Sequence, residues 1–267
     1  MRNNEDRLSG LVTQQETSAI QNSNLSFVTP TEFVDLPSKG KLYPVGHPLH
    51  KKLSIEIKQM TAKEEDILTS ESYIKKGIVL EKFLEAIVVD KNIRPEELTT
   101  VDRSAIFLAA RVLAYGPEYQ VGVICPKCSK KHEFIYDLAD SPKTFPVSDD
   151  LALTEKGTFF IELPNTKWNV ECKALFGKDE AKGENNQTNN SLVSAQIKSL
   201  IVSINGVTDK KLLEEAISVM PAKDSKFLRQ AYKEKSPSVK FAFNLECECS
   251  YTGEVDVPIT LEFFWPK

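Results

Sequence analysis

The chain has 267 residues, 41% of them hydrophobic and 27% charged, with a formal net charge of −4. That apolar share is enough for a buried core, and the lack of a basic excess argues against a protein whose main task is to coat phosphates. No apolar run approaches the roughly 20 residues a transmembrane helix needs, so no membrane partner is expected. The charged start MRNNEDRLSG has no apolar stretch of the kind a signal peptide carries. Synthesis and retention in cytoplasm are therefore expected, and five cysteines there are not read as a disulfide framework.

Residues 1–26 are rich in Asn, Gln, Ser and Thr without apolar periodicity, and are read as a disordered or partner-ordered arm. Residues 27–60 are read as an extended segment followed by a strand. Pro30, Pro37, Pro44 and Pro48 predict turns laid over a surface, without regular structure, as far as Lys51. Leu53, Ile55 and Ile57 then alternate with Ser54, Glu56 and Lys58, the pattern of a half-buried strand. Thr61 to Glu64 fits a capping box, opening a helix expected to run to about Lys76 and to stop at Gly77. Leu80, Phe83, Leu84, Ile87 and Val88 share one face of a second helix. Ile106, Ala109, Ala110 and Leu113 share one face of a third, and these faces are read as a packed helical core.

Next, Tyr119, Val121 and Val123 alternate into Cys125-Pro126-Lys127-Cys128, and Phe134, Tyr136 and Leu138 alternate out of it. The pattern predicts strand, cysteine turn, strand. Two more strands are expected around 158–163 and 167–174, joined at Pro164-Asn165, with Cys172 on a core face beside Trp168 and Val170. The almost wholly polar segment 177–190 reads as a flexible loop. Helices are expected over SLVSAQIKSLIVSI, over LLEEAISVM and from about Ala222 to Glu234. Val239, Phe241, Phe243 and Leu245 then alternate into Cys247-Glu248-Cys249, and Val255, Val257, Ile259 and Leu261 alternate out.

The chain thus writes helices, strand, cysteine turn and strand twice, once within 61–176 and again within 191–267. The fold class expected is α+β, with small helical bundles combined with antiparallel hairpins that form a zinc-ribbon-like four-cysteine module. Cys125, Cys128, Cys247 and Cys249 are the expected ligands of one Zn2+, because zinc favours four thiolates in a tetrahedron and two short turns supply them in pairs. The C-x-C half makes a tighter chelate than the C-x-x-C half, and His132 is held in reserve as a substitute ligand. A redox pair competes, but a thioredoxin-like motif precedes a helix, whereas Lys130, Lys131 and a strand follow here. Burial as small hydrophobes also competes, against the exposure expected at hairpin tips. There is no Gly-rich phosphate loop, no G-x-S-x-G and no H-E-x-x-H. His47, His50 and His132 lack the spacing of a catalytic metal site, so neither an enzyme nor a small-molecule substrate is expected.

Several stretches together resemble a baseplate protein family of contractile-tailed phages of the T-even type. They are FVDLPSKGKLYPVGHPLHKKLSIEIKQMTAKEEDILTS, KKGIVLEKFLEAIVVDKNI, DRSAIFLAARVLAYGPEYQVGVICPKC, VMPAKDSKFLRQAY and VPITLEFFWP, in that order. The resemblance spans about residues 27–267 apart from the 177–190 loop. It implies a part in building or forming the tail baseplate near its central hub, with no catalysis. Relatives often carry two C-x-x-C pairs, where this chain has Cys247-Glu248-Cys249. Two roles stay open: a subunit of the virion tail baseplate, or an assembly factor in the host cytoplasm, such as a tape-measure-type tail assembly chaperone absent from the virion. The partners implied are hub or tape-measure proteins. A nucleic-acid-binding zinc ribbon, suggested by Lys127, Lys130 and Lys131, is the competitor, and nucleic acid is not the expected partner. Phe27, Phe33, Leu36, Leu42 and Tyr43 are candidate apolar anchors for a partner. Phe263, Phe264 and Trp265 are candidates too, unless they fold back into the core.

Overall fold

The computed structural model describes residues 28–139, 142–179, 192–257 and 261–264. The expected arm 1–26, Phe27, most of the expected loop and Trp265 lie outside the described residues. The chain divides into a short unit ending at Pro30 and a unit from Thr31 to Lys267. The second unit is an α+β fold in which every strand pairing among the described residues is antiparallel.

Two strands, β1 (Thr31–Asp35) and β2 (Ser54–Lys58), pair with Thr31 opposite Lys58 and Asp35 opposite Ser54. β1 corrects the expectation of an irregular segment: Pro30 and Pro37 bracket the strand, so neither removes a ladder N–H. The connection between the strands corrects it further, because Leu36, Leu42, Tyr43 and Leu49 are buried. Gly40 allows that packing. It sits at φ +67, and a Cβ there would lie 2.4 Å from the Leu49 carbonyl oxygen and 2.4 Å from the Lys52 amide nitrogen.

The capping box opens α1 (Ala62–Thr69), and Ser70, in extended conformation, separates it from α2 (Glu71–Lys75). One continuous helix to Lys76 is therefore corrected to two. At the break, Thr69 donates its hydroxyl to the Glu65 carbonyl at 3.0 Å, the local competition that hydroxyl residues offer to a helix ladder. Glu64 is buried, and its carboxylate accepts from Lys58 at 2.7 Å and from the Thr61 amide at 3.0 Å and hydroxyl at 2.6 Å. Burial alone would raise its pKa, but these donors outweigh burial and hold it below the ordinary glutamate value. A depressed carboxylate pKa gives stability that is complete above the unfolded value and is lost as pH falls through the folded one. Glu64→Gln is expected to lower stability by about 1–2 kcal/mol at neutral pH. Urea melts at neutral pH and near the bottom of the acid range should show that deficit shrinking in acid; an unchanged deficit would count against this account.

The helices α3 (Val79–Ile87) and α4 (Thr100–Tyr115) pack Phe83, Leu84, Ile87, Ile106 and Ala110 into the first core. A polar network crosses it. Asp102, fully buried, accepts from the Ser38 amide at 3.0 Å and from the Tyr43 hydroxyl at 2.7 Å, while the Thr99 amide donates to that hydroxyl at 3.2 Å. The far end of the chain closes the same core. Phe264 packs on Phe83 and Phe107 with ring centroids at 5.1 and 5.8 Å, and Phe263 packs on Tyr119 at 5.2 Å. Arg111, only 1% exposed, donates to the carbonyls of Phe263, Gly116 and Glu118 at 2.8, 3.0 and 3.1 Å. The four residues Leu261–Phe264 form a short 3-10 helix, which corrects the strand expected to reach Leu261; Ile259 lies outside the described residues.

A second core lies under a three-stranded sheet of β6 (Phe159–Glu162), β7 (Asn169–Cys172) and β8 (Ile201–Ile204). It is covered by α5 (Leu192–Leu200), α6 (Lys210–Val219) and α7 (Ala222–Lys235), and holds Phe159, Ile161, Val170, Cys172, Ile197, Ile217 and Leu228. The stretch IVSI corrects the longer helix expected there: α5 ends at Leu200 and the chain turns directly into β8. Asp224 joins α7 to the sheet, accepting from the amides of Asn165 and Thr166 at 2.9 Å each. A small ribbon of β5 (Lys143–Phe145) and β9 (Ser238–Lys240) lies antiparallel as well. The first residues of the expected loop also belong to the fold. Gly177 donates its amide to Leu98, and Asp179 accepts from Lys173 at 2.7 Å and from the Phe176 amide at 3.2 Å.

Candidate metal centre

Two hairpins carry the cysteine turns. β3 (Glu118–Ile124) and β4 (Lys131–Asp137) pair with Ile124 opposite Lys131, and β10 (Ala242–Cys247) and β11 (Tyr251–Asp256) pair with Cys247 opposite Tyr251. The turns close alike. Behind the second cysteine of each stands a serine with left-handed backbone, Ser129 at φ 60 and Ser250 at φ 63. Each donates its amide to the carbonyl of the first cysteine at 2.9 Å, Ser129 to Cys125 and Ser250 to Cys247. The first turn is one residue longer, which accounts for C-x-x-C on one side and C-x-C on the other.

The hairpins face each other without sharing a sheet. Phe134 and Phe243 stack between them at 3.8 Å, and Tyr136 donates its hydroxyl to the Ala242 carbonyl at 3.4 Å. At the turns, Lys127 donates to the Cys249 carbonyl at 3.0 Å and Lys130 pairs with Glu248 at 2.7 Å. These contacts bring all four predicted sulfurs together. Cys125 and Cys249 lie 3.7 Å apart across the hairpins, Cys128 and Cys247 3.6 Å, and all four sulfur atoms lie within 4.8 Å of one another. A tetrahedron with zinc–sulfur bonds of about 2.3 Å has sulfur–sulfur edges of about 3.8 Å. Donor type, number and spacing therefore fit a soft divalent cation. Cys125 and Cys247 are buried while Cys128 is exposed, so the site reaches the surface on one side.

The electrostatics of the thiols agree with that fit. Burial pushes the Cys125 thiol up, but the backbone amides of Cys128 and Lys127 and the neighbouring thiols outweigh it and bring it down to about 7. Cys249 is pushed up to about 12, first by burial and then by the thiols of Cys247 and Cys128. Thiols this close titrate as one coupled group, in which a thiolate at Cys125 is favoured and Cys249 is held protonated. His132 is not a fifth member of the cluster. Its Nε2 stands 3.3 Å from the Cys247 sulfur, placed to donate to a thiolate that the four cysteines already complete.

The other candidate residues part company. Leu36 (3% exposed), Leu42 (1%), Tyr43 (0%), Phe263 (1%) and Phe264 (2%) are core residues, which corrects their candidacy as anchors for a partner. Phe263 and Phe264 instead fold back, and Phe33 alone of the described anchors is open, at 67%. His47 stacks on Tyr43 at 4.5 Å and His50 contacts the Tyr43 carbonyl at 2.8 Å, so both serve the first core. Cys172 is buried in the second core, with its thiol pushed up to about 12, mainly by burial. The Ser38–Tyr43–Asp102 network was not anticipated from the residues; Thr99 three places before Asp102, a cap-like spacing, was the available signal.

Two hairpins that meet tip to tip around four converging thiols, on an α+β scaffold, define a protein whose described residues offer a cysteine cluster compatible with metal binding. Comparison with known families supplies the particular group. The family model described as T4 bacteriophage base plate protein matches residues 29–265, and the chain belongs to that family. No curated protein and no solved structure gives a significant match. Among the described residues no helix is long and apolar enough to cross a membrane.

Proposed function

We infer that the chain is a non-enzymatic protein of the tail baseplate, acting at or near the hub through contacts with other tail proteins, and that its four clustered cysteines hold one Zn2+. The observation that carries this is the extent of the family match, which runs through both cysteine hairpins and nearly all of the chain. Zinc held by four thiolates has no open position for water, so what it supplies is a structural bond and not a Lewis acid for turnover. Lys127 and Lys130 lie at the two turns, beside the net negative charge that four thiolates leave on the site. His132 orients one of those thiolates.

Two roles fit: a subunit that stays in the virion, and a tape-measure-type assembly chaperone that acts in the host cytoplasm and leaves. Mass spectrometry of purified virions separates them. Co-expression of the tagged chain with each tail protein, followed by affinity capture, tests the shared core of the proposal, for which retention of a hub or tape-measure component is the expected result. A nucleic-acid-binding zinc ribbon has less support. Lys127 is engaged by the Cys249 carbonyl, Lys130 by Glu248 and Lys131 by Glu133, so the basic charge beside the thiols is largely committed. Tight binding of labelled DNA at physiological salt, with no tail protein retained, would replace the proposal with that one.

A further inference from the structure

The outer edge of β1 has no strand beside it among the described residues. Two hydrogen bonds fix which way its main chain points. Val89 donates its amide to the Glu56 carbonyl at 3.1 Å, on the side of β2 that faces away from β1, and Leu36 donates to the Leu53 carbonyl at 2.8 Å, continuing the β1–β2 ladder. Backbone groups alternate from side to side along a strand. Ile55 and Ile57 therefore turn toward β1 and Glu56 turns away. Opposite them, Glu32 and Val34 bond inward, while Thr31, Phe33 and Asp35 turn their N–H and C=O groups outward. These same three residues are exposed, Phe33 at 67%.

We propose that this edge receives an added β-strand from another tail protein, an extended basic segment. Its main chain bonds to Phe33, an apolar side chain lies beside the Phe33 ring, and Lys or Arg side chains meet Asp35 on the Phe33 face and Glu32 on the opposite face. The proposal rests on the functional reading above and names the surface through which it operates. Strand addition draws its affinity from main-chain bonds and its specificity from alternate side chains. Sheets that meet no partner blunt such edges with bulges or lysines, yet here a phenylalanine stands at the centre of the edge. The charge selects the occupant. Glu32, Asp35 and Glu56 lie on this ribbon, its single base Lys58 is committed to Glu64, and neither Glu32 nor Asp35 has an ion-pair partner among the described residues. A second copy of the chain would bring four carboxylates from two such edges together and no base.

Phe33→Pro is the decisive variant, because it removes one outward N–H and leaves the β1–β2 ladder whole. Val34→Pro, which removes an inward one, is the control for damage to the fold. The probes are the tail proteins of the same phage, each co-expressed with the tagged full-length chain and identified by mass spectrometry. The expected result is that one of them binds and that Phe33→Pro weakens it about tenfold or more, the scale of one or two lost hydrogen bonds, with its melting temperature close to the parent's. Glu32→Gln with Asp35→Asn should flatten the salt dependence of binding. Amide exchange gives a readout that needs no variant: Phe33 should exchange fast in the free chain and be protected in the complex. Equal retention by Phe33→Pro would overturn the proposal. So would protection of the Phe33 amide in the free chain, which at any concentration would mean that residues 1–27 pair the edge and, only at high concentration, that a second copy does. If the parent chain captures no tail protein at all, the functional reading falls first and this one with it.

Discussion

Cys128→Ser is expected to abolish stoichiometric zinc and to lower the melting temperature by about 10 °C. Cys128 is the exposed member of the cluster, so its loss opens no cavity and the effect reports the metal. A cation that binds only the folded chain stabilises it by about 4 kcal/mol at a thousandfold excess over its Kd, and a domain of this size loses roughly 2–4 °C per kcal/mol. The size of the effect reflects how far the join at the hairpin tips depends on the metal. Each hairpin is a two-stranded ribbon, marginal by itself. Their strands share the first core, through Val121, Val123 and Tyr136 on one side and Phe243 and Val255 on the other, while at the turns the described polar contacts are those of Lys127 and Lys130. Metal analysis of protein purified without chelator should give one zinc per chain. Calorimetry with and without chelator should reproduce the shift in the parent and show none in the variant. A parent chain that lacks metal and melts identically in chelator would end the account of a structural zinc between the hairpins. Cys172→Ser is the control: it should weaken the second core without changing the zinc content.

Asp102→Ala is expected to lower stability by about 3 kcal/mol or more. The carboxylate is fully buried and satisfies two donors drawn from the β1–β2 connection, the Ser38 amide and the Tyr43 hydroxyl. Removing it strands the Ser38 amide outright, and a buried unsatisfied donor costs about 1–3 kcal/mol before the lost volume is counted. Tyr43→Phe should cost less, because it takes away one donor and leaves the Asp102–Ser38 bond. The double variant should then lose less than the sum of the two, since the residues share one network. Denaturant melts of the four proteins measure this. Strict additivity would show that the hydroxyl and the carboxylate act independently, contrary to their 2.7 Å contact.

The parts of the fold that could be read from residues alone are those decided locally. The Thr61–Glu64 capping box, the amphipathic stripes of α3 and α4, and the alternation on either side of each cysteine turn all depend on neighbours a few positions away. The cysteine cluster was legible for the same reason, since each half is a short motif and only their meeting had to be inferred. What failed was decided at a distance. IVSI continues the helical spacing of α5, and its assignment to a strand comes from β7, which offers Val170 and Cys172 as partners for Ile204 and Ile201. Three β-branched residues in four were the sign that went unused. Leu36, Leu42 and Tyr43 look like surface anchors on a proline-rich strap until Asp102 is known to hold the strap from within.

Phe263 and Phe264 close a core whose other walls were laid down long before them. Arg111 and the Phe263 carbonyl it holds are 152 positions apart. At about 5–20 residues per second of synthesis, some 8–30 s separate the emergence of the guanidinium from that of its acceptor. Through that interval the nascent chain has only the local acceptors Gly116 and Glu118 for Arg111 and carries an open aromatic slot between Phe83, Phe107 and Tyr119. The protein therefore cannot complete its folding progressively on the ribosome. Its first core waits for Phe263 and Phe264, and any product cut short before them leaves the slot in view of the cell's chaperones and proteases.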